Sequence, residues 1–164
     1  MTNLLGVHQT DFANNLAKTD GDIADLTAEV VTATLADAGI GADAVESIHV
    51  GNAFGQLCTG QGHLGAMPAT VEPALWGVPA MRHEAACASS SMAVLAGMAE
   101  IEAGRYDCVL VLGIEQEKTM AGGPAAAVQT AAAWVGHETE GIEFFWPYAF
   151  ERVAGEYDLS LIHI

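Results

Sequence analysis

The chain has 164 residues, and its five Lys and Arg against 21 Asp and Glu give a formal net charge of −16 at neutral pH. A field of that sign argues against nucleic acid and anionic membrane surfaces as partners. With 51% hydrophobic residues the chain can bury a sizeable core, yet no apolar run approaches the ~20 residues that span a bilayer. The acidity reads as a solvated surface that keeps the protein soluble, or more sharply as adaptation to high salt. Met1-Thr2-Asn3 supplies no basic region before an apolar stretch, so no signal peptide is read. Cys58, Cys87 and Cys108 have neither pairing nor metal spacing, and a reducing cytoplasm is the expected location.

Leu4 to Val7 reads as a short apolar strand. Asp22 is the expected N-cap of a helix, with Asp25 adding negative charge to its first turn. Ile23, Leu26, Val30 and Ala33 recur at helical spacing, and Gly39 and Gly41 end the run. Val45 to Val50 leads into a second strand. Gly51 to Gly65 holds five glycines, but no Lys-Ser/Thr pair follows and no Gly-x-Gly-x-x-Gly opens a helix, so a close-packed loop near the site is preferred over a phosphate cradle. Gly65 to Leu75 reads as helical, broken around Pro68 and Pro73.

Gly77 to Arg82 reads as a short strand, Met92 to Gly104 as an Ala-, Leu- and Met-rich helix, and Cys108 to Leu112 as a strand buried on both faces. Between them lies His83-Glu84-Ala85-Ala86-Cys87-Ala88-Ser89-Ser90-Ser91-Met92, which puts one cysteine at a strand-to-helix turn. A free thiol has a pKa of ~8.5, and the N–H groups of a helix start stabilise the thiolate and can receive a developing oxyanion. Small residues around it would let a thioester approach. The residues alone leave two readings open, a catalytic nucleophile and a buried, inert cysteine. His83 and Glu84 are near in sequence, but strand alternation lets at most one of them face the thiol. His8, His49, His63, His83 and His137 have no mutual spacing that suits a metal, and each is read alone as a polar core or surface residue. After Glu115 come a glycine loop, an alanine-rich helix candidate at 125–133 and an aromatic cluster from Phe144 to Phe150.

The run Glu-Ala-Ala-Cys-Ala-Ser-Ser-Ser at 84–91, followed by an Ala/Met helix and Gly-Arg-Tyr-Asp-Cys-Val-Leu-Val-Leu-Gly-Ile-Glu at 104–115, resembles the nucleophile region of thiolases. The likeness is to the sterol-carrier-type thiolases and archaeal acetyl-CoA acetyltransferases. It extends to Leu5–Phe12, similar to the family's opening strand and turn, and to Val50–Gly55 with Gly60-Gln61-Gly62, similar to its second strand and glycine loop. The resemblance implies an α/β, thiolase-like layered fold, an incomplete N-terminal half with a mostly parallel sheet and a buried helix after the nucleophile. It implies an acyl-CoA C-acyltransferase working by Claisen chemistry, with Cys87 as acyl carrier and acyl-CoA and CoA as substrates rather than a resident cofactor. It implies a homodimer or higher homo-oligomer. Cofactor-binding residues are not read from the sequence.

Ser90 stands where many thiolases have glycine, and Cys-x-Ser-Ser is nearer to the β-ketoacyl synthases, which keeps a synthase-like condensing enzyme as an alternative. A non-catalytic scaffold or lipid-transfer subunit is a second one. The family's second half carries a His-Pro-type and a Cys-x-Gly-Gly-Gly-type motif, and neither occurs here. The expectation is therefore an N-terminal fragment, inactive alone, with residues 1–115 a partial N-terminal domain and 116–158 the start of the loop domain. Leu159 to Ile164 resembles the translation of a transposase adaptor and reads as a non-native tail.

Overall fold

The structure is a computed structural model, and it describes residues 2–117, 119–121, 123–125 and 127–128. Two compact units divide after Thr119, and every element discussed below belongs to the first. The expected helix at 125–133 falls mostly outside the described residues; the aromatic cluster and the tail at 159–164 fall wholly outside them.

Helix α1 spans Ile23–Ala38. It starts where Asp22 adopts an extended backbone and its carboxylate accepts from the N–H groups of Ala24 (2.7 Å) and Asp25 (3.1 Å). Asp25 returns the bond by accepting from the Asp22 N–H at 2.9 Å, so two otherwise unpaired donors are satisfied together. Gly39, left-handed at φ 67°, ends the helix. Ile23, Thr27, Val30, Val31 and Leu35 form its buried stripe, while Leu26 is only half-buried at its edge.

Strand β1, Ser47–Gly51, lies in the middle of a parallel three-stranded sheet between β2, Ala80–His83, and β3, Val109–Gly113. Ile48 is opposite Ala80 on one side and Leu110 on the other. Side chains alternate across the sheet. Ile48, Val50, Leu110 and Leu112 join the stripe of α1, with Leu64, Met67 and Leu75, in one apolar core. Ser47, His49 and Gly51 belong to the opposite side, where α4, Ser89–Glu102, packs on the sheet. The short helices α2, Gly55–Thr59, and α3, Met67–Val71, occupy the connection from β1 to β2. The sheet is wholly parallel, in accord with the expected α/β class. Among the described residues no helix is long and apolar enough to cross a membrane.

Two expectations need correction. Leu4–Val7 is not a strand: Leu4 is 82% exposed, and the segment instead runs beside the end of α1, where the Val7 N–H donates to Asp37 at 2.8 Å. By contrast, residues 65–75 are helical in separate pieces as expected: Pro68 falls in the first turn of α3 and Pro73 opens a further short helix, because a first turn needs no N–H from them. Burial of α4 is one-sided. Ser89, Ala93 and Gly97 face the sheet, whereas Met92, Val94, Met98 and the 55%-exposed Leu95 face outward. The helix is apolar on both sides, the composition of an element covered on both, but the described residues put a sheet on only one.

α4 approaches the sheet most closely at its start. A Cβ on Gly51 would stand 2.5 Å from the Ser90 Cα and N, and one on Gly113 would meet the Ser90 hydroxyl. Gly51→Ala must therefore push the helix off the sheet, at about 3 kcal/mol. Gly60 is left-handed at φ 78° with open space around it, so Gly60→Ala should cost only about 1 kcal/mol. Urea unfolding of the two variants checks this, and equal losses would mean that α4 does not seat on β1.

Candidate active site

The turn that carries Cys87 is built by its own neighbours. After β2, Ala85 leaves the extended conformation with ψ 45°, and Ala86 takes φ 49°, a left-handed conformation unusual for a residue with a side chain. Such a residue costs on the order of 1 kcal/mol and must be held by its surroundings. Two side chains hold it. The Glu84 carboxylate accepts from the Ala86 N–H at 2.6 Å. The Ser89 hydroxyl, 4% exposed, accepts from the Ala85 N–H at 2.9 Å and donates to the Ala86 carbonyl at 2.7 Å. Ala86–Ala88 then forms a single 3-10 turn that runs into α4. Cys87 sits at the centre of this turn and is exposed. Ala88 precedes α4 and offers no capping side chain, so nothing at that position competes for the first-turn N–H groups.

Cys87 lines a cavity of about 480 Å³, bounded also by Phe12, Asn52, Phe54, Ser90 and Glu115. The wall opposite the turn follows directly on β1 and is clamped by three residues. The Glu115 carboxylate accepts from the Ala53 N–H at 2.8 Å, from the Phe54 N–H at 3.3 Å and from the Asn52 side-chain amide at 3.1 Å. Asn52, fully buried, donates to the Ile114 carbonyl at 2.7 Å and accepts from the Gly55 N–H at 2.9 Å. Arg82 donates to the carbonyls of Asn52, Ala53 and Gly62 at 3.2, 3.0 and 3.4 Å. The loop of residues 52–62 is thus gripped at its N–H groups by an anion and at its carbonyls by a cation. Its beginning lines the cavity, and α2 occupies its middle, where the sequence reads as loop.

The other two thiols are in a different position. Burial, and then the carboxylates of Glu115 and Glu117, push the Cys58 thiol up to about 11. Burial and Glu46 raise Cys108 above its ordinary value. Both are held in the neutral, poorly nucleophilic form. His83 and Glu84 are each engaged elsewhere: Glu84 in the turn, and His83 on the ring of His49 at 2.8 Å. His8 contacts Glu29 at 3.2 Å. Among the described residues no His, Cys, Asp and Glu group is arranged to hold a metal.

Sequence reasoning singles out Cys87 but not Asn52, Arg82 or Glu115, which the structure brings to the same cavity wall. A signal was available. Asn52 follows β1 immediately, and Glu115 follows β3 by two residues, at the carboxyl ends of parallel strands where α/β proteins gather their site residues.

Comparison with known proteins points to one family. The family described as thiolase, N-terminal domain, matches residues 5–140. The acetyl-CoA acetyltransferase of Methanothermobacter thermautotrophicus is 30% identical over 146 residues, 89% of this chain and 37% of that protein. The acetyl-CoA acetyltransferase of Methanocaldococcus jannaschii is 29% identical over 96% of this chain and 40% of its own length. Sterol carrier protein 2 of Gallus gallus is 35% identical over 69% of this chain and 20% of its own. The chain thus spans well under half the length of these relatives. With most of its length matched by the family, and the cysteine turn and glycine-lined strand ends assembled as described, the chain belongs to the thiolase family.

Proposed function

We propose that this chain is the nucleophile-bearing part of an acyl-CoA C-acyltransferase in which Cys87 carries the acyl group. The observation that carries the reading is an exposed thiol on a strained, doubly braced turn that opens on a cavity large enough for an acyl thioester. In the first half-reaction the Cys87 thiolate attacks the thioester carbonyl. The carbon–sulfur bond to coenzyme A breaks, and coenzyme A leaves as a thiolate that takes up a proton. In the second, the carbanion of an acetyl thioester attacks the acyl-cysteine, and Cys87 is released. The base for that carbanion belongs to the second half that the family resemblance implies. Acetyl-CoA acetyltransferase activity in two relatives supports acyl-CoA as the substrate class.

Among its described lining residues the cavity presents Asp11, Glu29, Glu115 and Glu117 and no Lys or Arg, while Arg82 is committed to backbone carbonyls. Such a lining suits the acyl and thioester end of the substrate and repels its phosphates. Three free cysteines fit a reducing, cytoplasmic setting, with the homodimer of the resemblance as the assembly. A second reading, lipid transfer without acyl chemistry, follows from the relatives named sterol carrier protein 2 and non-specific lipid-transfer protein-like 2. It would keep ligand binding after Cys87→Ala, whereas the proposed enzyme loses its acyl-cysteine.

Iodoacetamide near pH 7.5 should alkylate Cys87 at least about tenfold faster than Cys58, because a thiol pushed to about 11 holds far less thiolate. Peptide mapping reads the order, and Cys58 reacting first would remove the basis for the assignment. The chain by itself should turn over acetoacetyl-CoA no faster than its Cys87→Ala variant, since the carbanion base is missing. Turnover above that control would contradict the division of labour proposed here.

A further inference from the structure

A second polar assembly lies beneath the nucleophile turn, on the α4 side of the sheet. His49 is 1% exposed in the middle of β1. Its Nδ1 is 2.8 Å from His83 Nε2, and its Nε2 is 2.8 Å from the Glu100 carboxylate and 3.3 Å from the Ser47 hydroxyl. The two rings stack with centroids 5.0 Å apart. His83 is the last residue of β2 and Glu100 lies well along α4, so the line of bonds runs β2–β1–α4. These are the two elements that the Cys87 turn connects. Gly97 allows the approach: a Cβ there would touch Val109 at 3.0 Å and the His49 ring at 3.7 Å. We propose that His83, His49 and Glu100 are positioning residues which tie β2 and α4, the elements on either side of the nucleophile turn, to β1, and that the brace opens when the histidine pair takes up a second proton. The proposal rests on Cys87 being the reactive thiol.

The proton count follows from the geometry. Facing an ionised carboxylate, His49 Nε2 carries hydrogen and donates. With both rings neutral, His49 Nδ1 is the acceptor and His83 Nε2 the donor. One added proton leaves a single hydrogen between the two rings, and the cluster's net charge falls from −1 to zero. A second added proton would put N–H groups on both facing nitrogens, 2.8 Å apart, and the bond cannot survive. The groups facing His49 are Glu100 from α4, His83 from β2 and Ser47 on its own strand; β3 presents apolar Val109 and Val111, and Arg105 acts on Glu100 through its charge. Burial, and then the neighbouring His49, hold His83 below the ordinary histidine range. A lowered pKa means that the unfolded chain binds the proton better, so this contribution is full above about pH 6.5 and fades as pH falls below it.

Two measurements on the unmodified chain test the proposal. In a histidine NMR titration, the pair should take up its two protons in separate steps, the first shared between the rings. Two independent single-step titrations would overturn it. The Cys87 alkylation rate, divided by its thiolate fraction, should hold steady across the first of these steps and fall at least about threefold across the second, and the fall should vanish in Glu100→Gln and His83→Gln. A flat wild-type profile, or the same fall in folded variants, would overturn the proposal as well. The NMR titration needs no variant and no acyl transfer, so failure of the enzymatic reading would leave its result intact.

Discussion

Glycine at the carboxyl ends of β1 and β3 lets the first turn of α4 lie directly against the sheet, and the position of the cysteine follows from that contact. With any side chain at Gly51 the Ser90 backbone would have to retreat, and the turn of residues 84–88 would be stretched with it. The sheet thus determines where α4 begins. The beginning of α4 determines how little chain is left to join it to β2, and that short connection accounts for Ala86 in a conformation it would not choose. The strain is not an isolated defect. It is the result of holding two regular elements closer than a relaxed link allows, and Glu84 and Ser89 are positioned to absorb it.

The same acid-rich composition that sets the overall charge also shapes local structure. With five basic residues in the whole chain, carboxylates cannot be matched by ion pairs. Many instead accept backbone N–H groups. Asp22 does so at the start of α1, Glu72 for Ala74, Glu46 for Asp107 and Cys108, Glu84 in the cysteine turn and Glu115 at the cavity wall. Such charge-assisted bonds tie turns that glycine-rich or polar loops would otherwise leave loose. They are short in range and depend on geometry, so added salt disturbs them less than it disturbs exposed pairs.

Local signals were legible and relational ones were not. The Asp22 cap, the Gly39 stop, the apolar run at β3 and the small-residue turn around Cys87 are each carried by a few consecutive residues, and each was read from them. Leu4–Val7 misled because an apolar run states a preference for burial but supplies no partner strand. Asn52, Arg82 and Glu115 meet only through the parallel register, and a pairing between positions some 30 to 60 residues apart leaves no periodic trace. The histidines show this most plainly. Read one at a time, His49 and His83 are ordinary polar residues; neighbouring strands and a helix are needed to make them a chain of bonds with Glu100.

The sheet order has a consequence for synthesis. β1 is first in sequence yet central in space, and its partners at Ala80 and Leu110 lie about 32 and 62 residues downstream of Ile48. At ribosomal speeds of about 5–20 residues per second, β1 waits seconds for its first neighbour and longer for its second. During that interval α1 and the apolar side of β1 can only pack on each other. The nascent chain therefore passes through a stage in which the core has begun to form while the strand carrying the cysteine turn is still in the exit tunnel. Codons that slow translation between β2 and β3 would lengthen the exposure of an unpaired strand edge, and with it the opportunity for two nascent chains to meet.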